Sequence, residues 1–262
     1  MNAPFIPHSV YSKQVFMASI AIAIIASFAF TLFPQLDIYI SSWFFDPEKA
    51  GTYLAFPLHH NIFWHGLRDL LFNIPIGFGS LFIILWGLKL FFPKIDIRID
   101  PKISSFIILT LIIIILLIIN MGLKETTGRF RPDQTDIFGQ KEEFTALFDF
   151  TGTCVGNCSF VSGEVASATW FLLLTHLLPS NLRKKYYILG SVFLVTVIFV
   201  RLGFGRHFAS DCLFAILITY WCMFISNFLW FIKMPIWIES KLNEQQITKF
   251  ALYIWGNIGV RR

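Results

Sequence analysis

Six stretches of this chain stay apolar for long enough to cross hydrocarbon: residues 15 to 33, 70 to 92, 104 to 123, 161 to 178, 186 to 200 and 212 to 232. A hydrocarbon core of about 30 Å takes roughly 20 helical residues. The pattern therefore predicts an all-α polytopic membrane protein, a bundle of six transmembrane helices in a single membrane-embedded domain over 1–262 with its core at 70–232. The fifth stretch is short and the fourth carries Glu164 at its mouth. Between the first two stretches, a segment over 34–69 is dense in aromatic residues, with Trp43, Phe44, Phe45, Tyr53, Phe56, Phe63 and Trp64 around Pro57. Such residues suit the headgroup layer, either as an interfacial cap on the bundle or as a wall that guides a lipid in sideways. The tail over 233–262 is expected to lie at the membrane surface as a helix.

Composition agrees: 56% of residues are apolar, 18% aromatic and only 14% charged, with a mean hydropathy of +0.67. No cleavable signal peptide is expected, because the first apolar stretch is long and lacks a small-x-small exit. Six spans put both termini on one side. That side carries thirteen basic residues against four acidic, the opposite side eight against twelve. Positive charge stays in the cytoplasm, so both termini are expected there. The net charge of +5 is then a topology signal, and nothing reads as nucleic-acid binding.

Charge set against that bias points to chemistry. Between the fifth and sixth stretches runs Arg201-Leu-Gly-Phe-Gly-Arg206-His207-Phe-Ala-Ser-Asp211. An ionisable group at membrane depth costs roughly 2.5–3.5 kcal/mol on insertion scales. His207 and Asp211 lie four positions apart, so a helix starting here stacks them on one face. The carboxylate is expected to hold one ring nitrogen and leave the other free as a nucleophile or base. Lys124 and Arg131 follow the third stretch, and Ser162, Gly163 and Glu164 open the fourth, all at the same membrane face. His59, His60, His65 and His176 lack such company and read as structural, with His59 and His65 as a metal pair the alternative.

Lys124-Glu-Thr-Thr-Gly-Arg129-Phe-Arg131-Pro132, Ser159-Phe-Val-Ser162-Gly163-Glu164 and the island from Arg201 to Asp211 together resemble the three signature blocks of the type 2 phosphatidic-acid phosphatase (PAP2) superfamily. Those blocks read Lys, six residues, Arg-Pro; Pro-Ser-Gly-His; and Ser-Arg, five residues, His, three residues, Asp. The first matches fully. The third keeps Arg201, His207 and Asp211 with Val200 for the Ser. The middle keeps Ser162 and Gly163, has Val161 for the Pro, and puts Glu164 in the place of the His. The stretch around Glu164 is most similar to the lipid A 4′-phosphatase branch.

The resemblance implies a membrane phosphatase with its active site at the periplasmic face of a bacterial inner membrane. His207 is then the nucleophile of a phospho-histidine intermediate, and Lys124, Arg131, Arg201, Ser162 and Gly163 form the phosphate cradle. The expected partner is a phosphorylated membrane lipid. Lipid A 4′-phosphate comes first, with undecaprenyl pyrophosphate or phosphatidylglycerophosphate as alternatives and a non-catalytic lipid-phosphate binding or transport protein as a reading of another class. No Asp/Glu cluster stands beside these blocks for two metals, so no metal or cofactor is expected. Glu164 has two readings: an acid acting on the leaving group or placing a sugar headgroup, or a first-turn carboxylate paired to one of the cations. Cys154 and Cys158 lie in the long outer loop over 124–160, where a disulfide is expected; two free thiols or half a metal site are the alternatives.

Overall fold

The computed structural model describes residues 10–92, 99–242 and 244–257, and its regular structure is helical apart from one isolated bridge between Thr135 and Glu142. Lys94, Arg98, Arg261 and Arg262, counted above on the terminal side, lie outside the described residues.

Hydrocarbon offers no partner for a free backbone N–H or C=O, so each apolar stretch must satisfy its own. Helix α1, Lys13–Leu32, starts at Ser12, whose hydroxyl accepts from the Val15 N–H at 3.3 Å. A short α2, Gln35–Ser42, follows. Helix α3, Ile62–Phe91, is capped by the Asn61 side chain, which accepts from Phe63 and Trp64 at 3.0 and 3.4 Å. Asp100 caps α4, Pro101–Thr126, through Lys102 and Ile103 at 2.8 and 3.1 Å. The turns of α4 widen to π geometry over Leu111–Leu123. Then come α5, Gly163–Leu173; α6, Ser180–Gly203; α7, Ala209–Ile232; and two short helices, α8, Ile236–Lys241, and α9, Glu244–Asn257.

Helices α1, α3, α4, α6 and α7 are long and apolar enough to cross a membrane. Helix α5 has eleven residues and runs into a four-residue 3₁₀ turn, Leu174–Leu177. It is the centre of the bundle. Nine of its eleven residues are buried, and it packs on α3, α4, α6 and α7. Small residues, Gly163, Ala166, Ser167 and Ala168, let neighbouring backbones come close. Trp170 fills the middle, fully buried, and donates its indole N–H to the Thr110 hydroxyl at 3.0 Å. Outward faces carry exposed apolar side chains such as Ile25, Phe28, Ile84 and Val195, as suits lipid contact.

The helices outrun the apolar stretches. Helix α3 starts at Ile62 where hydropathy suggests 70, and α6 at Ser180 where it suggests 186. Apolarity marks the part that hydrocarbon requires; a capped, polar first turn continues the same helix into the interface. His65 and Arg68, expected in a loop, therefore sit on the first two turns of α3.

Two segments close the end of the bundle that carries the charged residues. In the aromatic segment, Ala55 and Phe56 bury themselves with Phe138 and Phe208, and Phe44, Phe45 and Phe144 pack around them. Phe56 lies under Gly205, whose φ of +63° suits glycine and where a Cβ would stand 2.6 Å from the ring. In the long loop, Gly128 crosses Gly152 so closely that a Cβ on Gly128 would collide with the Gly152 carbonyl. The crossing lets Cys154 N–H reach the Gly128 carbonyl at 3.0 Å and Ser159 N–H the Arg129 carbonyl at 2.8 Å. The Cys154–Cys158 disulfide, with Cα atoms 5.9 Å apart, closes the turn between those two bonds.

Candidate active site

Four helix ends and three loops meet around a polar cavity of about 290 Å³. The C-terminal turn of α4 brings Lys124 to it, the loop after it Arg131 and Asn157, and the last turn of α6 Arg201. The tight turn between α6 and α7 supplies Arg206 and His207. Helix α5 aims its N-terminus here, with Glu164 on the wall, while α3 contributes His65 and Arg68, and the turn before it His59. The three sequence blocks thus converge, and α3 joins them.

His207 is 1% exposed, with Nδ1 at 2.8 Å from the Ser159 carbonyl oxygen. A carbonyl only accepts, so Nδ1 carries the proton and the Nε2 lone pair is free. Burial holds His207 well below the ordinary imidazole value, and Arg201, Lys124 and Arg131 push the same way. The ring is neutral, as a nitrogen nucleophile must be.

Asp211 does not hold the ring directly: its Oδ2 stands 3.9 Å from Nδ1. That oxygen accepts from the Ser159 hydroxyl at 2.5 Å and the Phe208 N–H at 2.8 Å. The expected contact is thus relayed: Asp211 fixes Ser159, and the Ser159 carbonyl fixes the imidazole. Its other oxygen accepts from Arg129 Nη1 at 2.6 Å.

Arg129 is the residue that motif reading passed over. It is 2% exposed and bridges two buried carboxylates, Asp211 and Asp37, the latter at 2.8 Å through Nη2. It also donates to the Ser210 hydroxyl at 2.8 Å and the Thr145 carbonyl at 3.1 Å, and lies 4.4 Å from the Phe208 ring centre. Asp37 in turn accepts from Ser210 N–H at 2.9 Å and from its hydroxyl at 2.5 Å. Helix α2 is thereby pinned to the N-terminus of α7. The available signal was a third cation in the first block, on the side where cations are disfavoured, together with a lone acid, Asp37, in an apolar segment.

The cradle is short of partners for its own donors. Lys124 Nζ donates to Asn157 Oδ1 at 2.9 Å, and Arg131 Nη2 to the Asn157 carbonyl at 2.8 Å. The Nε atoms of Arg131 and Arg201 are buried without a hydrogen-bond partner, which leaves donors for an incoming anion. Gly163 lets Asn120 and Lys124 pack close to α5: a Cβ there would meet Asn120 Oδ1 at 3.0 Å and Lys124 Nζ at 3.5 Å. Ser162 caps α5, its hydroxyl 3.5 Å from Val165 N–H. Ser162 and Gly163 are both buried, and the α5 residue on the cavity wall is Glu164.

Glu164 is clamped. Its carboxylate accepts from Arg68 Nε at 3.1 and 3.3 Å and from Arg68 Nη2, and Arg201 Nη1 lies 3.2 Å away. Of the two readings of Glu164, this geometry favours the ion pair, with Arg68 added as a partner that sequence did not suggest. Arg206 pairs with Asp133 at 2.8 Å, whose carboxyl burial pushes up to about 7 against the pull of Arg131 and Arg201. His59 goes down to about 4, chiefly through burial, with His60, His65, Arg201 and Arg68 adding to it. Its ring stacks on His65, centroids 5.2 Å apart. Among the described residues, no three His, Cys, Asp or Glu side chains converge as metal ligands would.

Cation excess, a neutral imidazole with one free nitrogen and a helix N-terminus together suit attack on a phosphate ester. Residues 105–234 match the PAP2 superfamily. The chain is 34% identical over 194 residues to the lipid A 4′-phosphatase of Rhizobium leguminosarum, covering 70% of this chain and 82% of that one. It is likewise 34% identical to that of Rhizobium etli, over 70% and 74%, and 28% identical to that of Francisella tularensis subsp. novicida, over 73% and 84%. No solved structure matches the chain.

Proposed function

Because this chain belongs to the PAP2 superfamily and is a membrane lipid phosphatase, we propose that it removes the 4′-phosphate of lipid A, without a metal, through a phospho-histidine on His207. The carrying observation is the His207 imidazole, whose Nδ1 proton is bonded to the Ser159 carbonyl while Nε2 is free at the wall of a cavity lined by Lys124, Arg131 and Arg201. Nε2 attacks phosphorus in line with the sugar oxygen. Charge spreads over the equatorial oxygens, where the three cations and the α5 N-terminus stabilise it before any rearrangement is needed. Water then cleaves the P–N bond and inorganic phosphate leaves.

In this scheme Asp211 acts through Ser159, and Glu164 holds Arg68 and Arg201 in place. The relatives named lipid A 4′-phosphatases support the sugar phosphate as substrate. The charge asymmetry along the chain supports six crossings, counting α5, with both termini in the cytoplasm of a bacterium and the cavity at the periplasmic face of its inner membrane. A disulfide beside the cavity suits that oxidising side. The aromatic segment caps the same face.

The test supplies the purified chain in nanodiscs with lipid A phosphorylated at both sugar ends and reads the product by tandem mass spectrometry. Loss of the 4′-phosphate is expected. Hydrolysis of undecaprenyl pyrophosphate or phosphatidylglycerophosphate with lipid A left intact would reassign the substrate, and binding of all three without phosphate release would remove the enzyme.

A further inference from the structure

A sugar oxygen is a poor leaving group, and its departure needs a proton. The PAP2 pattern puts a histidine where this chain has Glu164, and Glu164 is engaged by two guanidinium groups. Of the other groups on the cavity wall, arginines do not give up protons at working pH, His207 is the nucleophile, and Lys124 is tied to Asn157 in the cradle. Two imidazoles remain, His59 and His65.

We propose that His65 is the proton donor to the leaving sugar oxygen, in place of the histidine that the middle signature block lacks. Three features of its setting carry this, and it rests on the sugar-phosphate reading above. His65 stands three residues before Arg68 on the first turns of α3, which puts both side chains on one helix face and both on the cavity wall. The Phe204 ring lies 5.2 Å from the His65 ring, tilted 37° to it, so His65 is held against the turn that carries His207. His59 stacks on His65 and meets the same Phe204 ring at 5.1 Å, so the three rings form one cluster; burial lowers His59 to about 4, so His59 is not the ring of the pair that carries a proton.

The step balances. As His207 Nε2 bonds to phosphorus and the P–O bond breaks, the sugar oxygen takes the proton from imidazolium His65 and leaves as an alcohol. Neutral His65 then accepts a proton from the water that attacks phospho-histidine, which restores both residues and releases inorganic phosphate.

The experiment compares two synthetic lipid phosphates with the same acyl tail, one an alkyl ester on glucosamine and one an aryl ester whose phenolate departs unaided. For His65→Ala, the rate on the sugar ester should fall by about 10²-fold or more, while the aryl ester loses less than about threefold, because general-acid help matters only for the poor leaving group. Equal losses on both esters, whether from a damaged cradle or a damaged fold, would overturn the assignment, as would no loss on either. A leaving-group-dependent loss in His59→Ala or Glu164→Gln in place of His65→Ala would overturn it too, moving the role to that residue. Wild-type protein that cleaves the aryl ester and a lipid pyrophosphate but no sugar ester would instead sink the substrate reading on which the proposal stands.

Discussion

Replacing Arg129 by methionine keeps most of the side chain's volume and removes its charge. The change leaves Asp37 and Asp211, both essentially inaccessible to solvent, facing each other without the guanidinium that bridges them at 2.8 and 2.6 Å. Removing one partner of a buried ion pair costs roughly 3–5 kcal/mol. Here one cation serves two carboxylates and also donates to Ser210 and Thr145, so the upper end of that range is expected. Against a total stability of roughly 5–15 kcal/mol the variant should still fold, with its unfolding midpoint lowered well beyond scatter. Activity should fall further than stability, because Asp211 steadies Ser159 and the Ser159 carbonyl sets the His207 tautomer. Adding Asp37→Asn to Arg129→Met removes one orphaned charge and should recover about 1–3 kcal/mol as coupling. Thermal unfolding in detergent and phosphate release at a temperature where both variants are folded are the assays. A midpoint shift worth less than about 0.5 kcal/mol, with full activity, would refute the bridging role.

Hydrolysis should survive EDTA and be blocked by vanadate, which mimics the pentacoordinate transition state in the cationic cradle; loss of activity with chelator, restored by a divalent metal, would contradict the mechanism. Because the His207 pKa is depressed, the ring takes up a proton only at pH well under the ordinary value, so its neutral form persists on acidification. Carbethoxylation of His207, followed by peptide mass spectrometry, should therefore stay nearly flat from about pH 7.5 to about 5.5, where an imidazole of ordinary pKa loses about tenfold; a tenfold fall would contradict the depressed value. Thiol reagents should label Cys154 and Cys158 only after reduction, whereas labelling of both in the untreated protein would rule out the bridge.

Residues at membrane depth announce themselves in sequence because hydrocarbon penalises charge. Lys124, Arg131, Arg201 and His207 were legible for that reason, and the structure brings them to one cavity. What stayed hidden depends on pairing across long stretches of chain. Arg68 meets Glu164 across 96 positions and Arg129 meets Asp37 across 92, and neither spacing carries a periodic signal. The partner of His207 Nδ1 was invisible for another reason: it is a backbone carbonyl, which every residue has, and only the Gly128–Gly152 crossing and the lacing after it bring Ser159 there. Helix α5 shows the limit of hydropathy from the opposite side. Its stretch is as apolar as a lipid-facing one, but nine of its eleven residues are buried against protein, and its ends come from Ser162 and the 3₁₀ turn before Pro179.

Rapid quenching of the purified enzyme with lipid A labelled in its 4′-phosphate, followed by mapping of the phosphoprotein, reports directly on the bond that the mechanism requires. A label that is stable to base, labile to acid, confined to the peptide containing His207 and absent from His207→Ala, which turns over no substrate yet remains folded, is the predicted result. Steady turnover by His207→Ala, or a label on any other residue, would contradict it.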